Sequence, residues 1–105
     1  MTAVAQGIPR DRLAEVRSVV AGIPDGTVMA YGDIAAIVGV GPRHAGRLVA
    51  ALDDDVPWWR VVYADGTPAT CHGGTAPELL QREGVPFRGT RVDRAAVDRT
   101  AGRDG

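Results

Sequence analysis

Two short apolar-striped segments meeting across Gly39 and Pro42 constrain this chain most. The first begins near Tyr31 or Gly32, directs Ile34, Ala35, Ile37 and Val38 inward, and stops at Gly39, a residue suited to the left-handed end of a helix. The second opens at Pro42, whose fixed φ suits a first helical turn. Its Ala45, Leu48, Val49 and Leu52 recur at i, i+3, i+4 and i+7, which is a core stripe. Arg43 and Arg47, four residues apart, share another face that Ala50 continues. Two short helices with a glycine-bearing turn between them, the second with arginines outward, predict a helix-turn-helix.

The flanking sequence predicts the rest of a small domain. Met1 to Ile8 reads as a loose start. Asp11 is placed to cap a helix running to about Ala21, with Leu13, Val16, Val19 and Val20 on one face. A turn at Ile23 to Gly26 and an extended piece at Thr27 to Ala30 lead into the helix-turn-helix. After the acidic corner Asp53 to Asp55, the pattern Trp59–Tyr63, Asp65-Gly66, Thr67–Thr70 reads as strand, tight turn, strand, which after a helix-turn-helix is a wing. Gly73-Gly74 opens a loop, and Pro77 to Glu83 forms a final helix ending at Gly84. The expected fold is mainly α with a small β-hairpin, a winged helix-turn-helix domain over residues 1–87. Residues 88–105 alternate Arg and Asp with few large apolar side chains and are expected to form a partly mobile tail.

Composition excludes several classes. A length of 105 residues predicts one small core. No apolar run has the length of a membrane span, and the start does not resemble a signal peptide. Cys71 is the single cysteine, so no internal disulfide or multi-cysteine zinc site is expected, nor any metal or cofactor. A cytoplasmic monomer is the expectation. The net charge of −1 weighs against a nucleic-acid binder, which usually carries a basic excess. All 12 basic residues are arginine, however, and guanidinium forks read phosphates and base edges well.

Chemistry concentrates at Pro57-Trp58-Trp59-Arg60-Val61. This stretch resembles the Pro-Cys-His-Arg-Val active site of the O6-alkylguanine-DNA alkyltransferases, with tryptophans in place of the acceptor cysteine and its histidine. Ile23-Pro24-x-Gly26, Tyr31-Gly32-Asp33-Ile34-Ala35, Arg43-His44-Ala45-Gly46, Gly73-Gly74, Leu79-Leu80 and Glu83-Gly84 fall in the family's order, from about Leu13 to Val85. The tryptophan at the cysteine position resembles the alkyltransferase-like proteins, non-enzymatic relatives that bind alkylated DNA and pass it to nucleotide excision repair. The resemblance implies roles residue by residue. Tyr31 would press on the target phosphate, and Arg43 would be the finger that fills the space of an extruded base. Gly46 would let the recognition helix approach DNA, and Arg47 would contact phosphate. The lesion pocket would comprise Trp58, Trp59, Arg60 and Val61 with the loop residues Cys71, His72, Gly73, Gly74 and Thr75. Trp58 would form a wall against the flipped purine, and Trp59 would leave Glu83 without a catalytic partner. Arg60 would make a structural ion pair, and His72 could donate to guanine O6 or N7. The acidic run Asp53 to Asp55 is expected to point away from the duplex.

The expected partners are therefore double-stranded DNA carrying O6-alkylguanine, bound in the minor groove, and nucleotide excision repair proteins, with nucleoid association when bound. Carbon cannot accept an alkyl group as a thiolate can, so no catalytic residue is expected. Three rivals make different predictions. A winged-helix transcription regulator would prefer a defined duplex sequence. An alkyltransferase using Cys71 would gain mass on incubation with modified DNA. A pseudo-enzyme docking a protein through its tryptophans would not bind DNA.

Overall fold

The computed structural model describes residues 11–103, so the predicted loose start at Met1 to Ile8 lies outside the described residues. Helix α1 (Arg12–Ala21) begins where Asp11 accepts a hydrogen bond from the Ala14 N–H at 3.1 Å. Arg12 Nη1 donates to the Val38 carbonyl at 3.0 Å, tying the start of α1 to the end of helix α2 (Tyr31–Val38). Val16 and Val20 are buried as expected, whereas Leu13 is exposed. Within α2, Tyr31, Ile34, Ala35 and Val38 share the core face. Ile37, expected inward, is 61% exposed. At about 3.6 residues per turn it sits roughly a third of a turn from that face.

Gly39 ends α2 with φ 86°, and helix α3 (Pro42–Ala50) follows with Ala45 and Val49 buried. The helix-turn-helix is present as predicted. The wing is smaller than predicted. Trp58–Arg60 forms a 3₁₀ turn rather than strand. Strand β2 (Val61–Val62) then pairs in parallel with β1 (Met29–Ala30), in register Met29 to Val61 and Ala30 to Val62. What remains of the wing is one bridge between Val62 and Pro68 and the Tyr63 N–H donating to Thr67 O at 2.8 Å. Pro68 has no N–H, so it cannot extend that ladder.

Helix α4 (Ala76–Arg82) is followed by a true hairpin, β3 (Phe87–Arg88) and β4 (Arg91–Val92), and by helix α5 (Arg94–Arg103). Residues 88–98 are thus part of the folded unit rather than a separate tail. Val92 and Val97 are buried in a cluster with Val62, Leu80 and Val85. The Arg-Asp alternation hides this, because two valines carry the burial while Asp93 caps α5 through the Ala96 N–H at 3.1 Å. The larger cluster lies among α1, α2, α3 and Trp58, and Trp59 packs against both. The fold is mainly helical with two small sheets.

Gly66 joins the wing to the hairpin. It adopts φ 92° and accepts from the Val92 N–H at 2.8 Å, and a Cβ built there would lie 2.3 Å from Val92 O. Gly66→Ala should therefore cost about 2 kcal/mol or more. Thermal unfolding followed by circular dichroism should show a fall of at least several degrees. An unchanged midpoint would mean that the wing does not press on Val92.

Candidate nucleic-acid interface

The first residue of α2, the outward face of α3 and the wing enclose an open cleft of about 550 Å³. Tyr31, Arg43, Gly46 and Arg47 all line it, so the four DNA-contact residues expected from the sequence converge. Tyr31, the first residue of α2, is only 8% exposed, and burial raises its phenol pKa well above the ordinary value. Its ring lies 4.9 Å from that of Tyr63, tilted by 43°. Arg43 and Arg47 are exposed and make no ion pair among the described residues. A Cβ added at Gly46 would meet nothing within 4 Å. Helix packing therefore does not require this glycine, and what its small size preserves is room in the cleft. Tyr63 and Thr70 line the cleft too, and sequence reasoning missed both. The alternation of the predicted wing was the available signal, since it sends Tyr63 to the face opposite Val62.

Cys71 also faces the cleft. Burial raises its thiol pKa, which hydrogen bonding with Tyr31 offsets only in part, so the thiol stays protonated at neutral pH. The adjacent His72 gives it no base, being turned away. His72 stacks on Trp58 with ring centroids 4.0 Å apart and an interplanar angle of 15°. Its Nε2 lies 2.6 Å from Leu52 O and so carries the proton, while Nδ1 is buried without a partner among the described residues. The residue holds φ 57°, an unusual conformation outside glycine. An unsatisfied buried acceptor costs about 1–3 kcal/mol, and a left-handed non-glycine residue costs a similar amount.

The lesion-pocket residues proposed from sequence do not form one chamber. Trp58, Trp59, His72 and Thr75 line a second hollow of about 660 Å³ with Asp54 and Glu78, whereas Cys71 belongs to the first. Trp58 is 1% exposed, so the expected pocket wall is covered, and His72 is what covers one face of it. Val61 is wholly buried core and lines neither hollow. Gly73 and Gly74 are exposed and line neither.

Both indoles donate to carboxylates. Trp58 Nε1 donates to Asp54 at 2.8 Å, and Trp59 Nε1 donates to Glu83 at 2.8 Å. Glu83 therefore keeps a partner at the position where the resemblance implied a loss. It also receives Arg60 through Nε at 3.0 Å and Nη2 at 2.7 Å, and the Gly26 N–H at 3.4 Å. Arg60 Nη1 reaches Ile23 O at 2.6 Å. The guanidinium is spent inside the domain and lines neither hollow. All three residues of the acidic run are exposed; Asp54 accepts from Trp58 and Asp55 pairs with Arg17.

The 6-O-methylguanine DNA methyltransferase DNA-binding domain matches residues 12–85. The chain belongs to this family. Within the methyltransferase-domain family its likeness is to alkyltransferase-like proteins. It is 32% identical to S. pombe Atl1, solved in complex with damaged DNA containing O6-carboxymethylguanine, with a TM-score of 0.61 over 77% of this chain and 83% of that one. It is 27% identical to S. pombe ATL in complex with DNA, with a TM-score of 0.65 over 81% of this chain and 89% of that one. No curated protein matches it. The family match ends before the β3–β4 hairpin and α5.

The Glu83 cluster sets an acid limit on stability. Burial alone would raise the Glu83 pKa, but the hydrogen bonds from Arg60, Trp59 and Gly26 outweigh it and hold the carboxyl below its ordinary range. A lowered folded pKa gives stability that is complete above the unfolded value of about 4.3 and is lost as pH falls through the folded one. Glu83→Gln should therefore lower the neutral-pH melting temperature and flatten its decline below about pH 4. Arg60→Ala, which strands a mostly buried carboxylate, should cost about 3 kcal/mol. Parallel acid limbs for parent and Glu83→Gln would refute the assignment.

Proposed function

We propose that this protein binds duplex DNA containing O6-alkylguanine, turns the damaged base out of the helix and retains it without removing the alkyl group. The observation that carries this reading is the cleft itself. Tyr31 and Arg43, which has no ion pair among the described residues, converge there beside a thiol that burial keeps protonated. Extruding a base costs a few kcal/mol, and a guanidinium entering the stack offsets part of that. The damaged-DNA complex of S. pombe Atl1 supports the same ligand class. The overall charge of −1 is no obstacle locally, since Asp54 and Asp55 are occupied within the domain while the cleft arginines are free of ion pairs among the described residues. The resemblance at Pro57–Val61 assigns Trp58 to the acceptor position, which removes alkyl transfer. The stable complex then acts as the mark that nucleotide excision repair proteins read.

Titration of a duplex containing O6-methylguanine against its unmodified match, at a stated salt concentration, tests the reading. Tighter binding to the modified duplex by roughly 10- to 100-fold is expected from stacking energies of about 1–3 kcal/mol. Equal affinities would contradict it. Arg43→Ala should abolish most of that preference. Arg47→Ala should weaken both duplexes alike and reduce the salt slope by about 0.9, the signature of one lost phosphate contact.

A further inference from the structure

His72 lines the second hollow directly after Cys71, which lines the first, and its geometry is that of a ligand. The His72 ring lies on the Trp58 indole at 4.0 Å and 15°, the spacing and tilt of a base on an aromatic platform. We infer that His72 is a built-in occupant of the Trp58 stacking face, which an extruded base must displace before it is retained. The inference rests on the proposed reading that this protein extrudes a damaged base.

Four observations converge on it. His72 is poorly held, with φ 57° and a buried Nδ1 that has no partner among the described residues. Its ring is tied at one point, Nε2 to Leu52 O. The residues that follow do not pack it in place, since Gly73 and Gly74 are exposed, both have positive φ, and neither has an atom within 4 Å of a notional Cβ. The position is also the required one. Cys71, immediately before His72, lines the DNA cleft, as does Ala50, two residues before Leu52. Withdrawing the imidazole would therefore open Trp58 toward the cleft that holds Tyr31 and Arg43.

The competition favours damaged bases. An intact guanine loses its Watson–Crick pairing on leaving the duplex, whereas an O6-alkylated one loses less and offers a larger apolar face. A purine also covers more of an indole than an imidazole does. His72 thus sets a threshold that a weakly paired, well-stacking purine exceeds, and it would be a specificity-determining residue.

Proton–carbon NMR of the two histidine rings in the 105-residue parent tests this without a substitution. In the free protein the His72 Cε1–H should be displaced upfield by the indole ring current. Saturation with the O6-methylguanine duplex should return it toward the position of a free imidazole, and saturation with the unmodified duplex should leave it unchanged. As a second arm, His72→Gly suits the positive φ and removes the ring. It should bind the modified duplex about three- to tenfold more tightly, because the competent state no longer has to be vacated. A parent that prefers modified DNA while His72 stays stacked overturns this inference alone, as does weaker binding by His72→Gly. A parent with no preference for modified DNA overturns the functional reading and this inference with it.

Discussion

The carboxylate of Glu83 holds the molecule together at its centre. It is reached from three directions: the Trp59 indole, the Arg60 guanidinium and the backbone of Gly26. Arg60 extends the link to the Ile23 carbonyl. The same Trp59 ring packs against both hydrophobic clusters. The turn before β1, the 3₁₀ turn before β2 and the end of α4 are thereby fixed to one another. That fixes the β1–β2 pair, and with it the angle at which α2 presents Tyr31 to the cleft. A partly buried ion pair of this kind contributes less to net stability than to uniqueness, because desolvation cancels much of its attraction.

The paired tryptophans are best understood through their single polar atoms. An indole has one N–H donor and no acceptor, so once buried it demands a carboxylate or carbonyl. Asp54 and Glu83 meet that demand for Trp58 and Trp59 respectively. These indoles stand at the positions that the resemblance assigns to a nucleophile and its base, and an indole side chain is itself neither. Burial raises the Cys71 thiol pKa, and the neighbouring imidazole faces Trp58. What the cleft can still offer is shape, aromatic surface and two guanidinium groups.

Much of this was legible in the sequence where local rules and tertiary packing agree. The Asp11 cap, the Gly39 stop and the Pro42 start each act through their own backbone, and each is found in place. Arg43 and Tyr31 were also readable, through their positions in a recognisable frame, and the structure brings them into one cleft. The failures occur where a partner distant in sequence decides the outcome. Val61 and Val62 pair with Met29 and Ala30 rather than with a wing strand, a parallel contact that no local pattern announces. Ile37 is apolar yet points outward, because an apolar run longer than one helical face does not say which residue is surplus. Val92 and Val97 lie in a charge-rich segment whose average composition conceals two buried anchors. His72 was expected to address a base, and only the structure shows that its ring stacks on Trp58.

The central claim is that this domain reads alkyl damage without erasing it. Prolonged incubation of excess protein with an O6-methylguanine duplex tests it most directly. Digestion of the DNA would quantify the modified base, and the intact mass of the protein would be measured on the same sample. The account predicts full recovery of O6-methylguanine and an unaltered protein mass. Stoichiometric loss of the methyl group, with one methyl gained by the protein at Cys71, would contradict it.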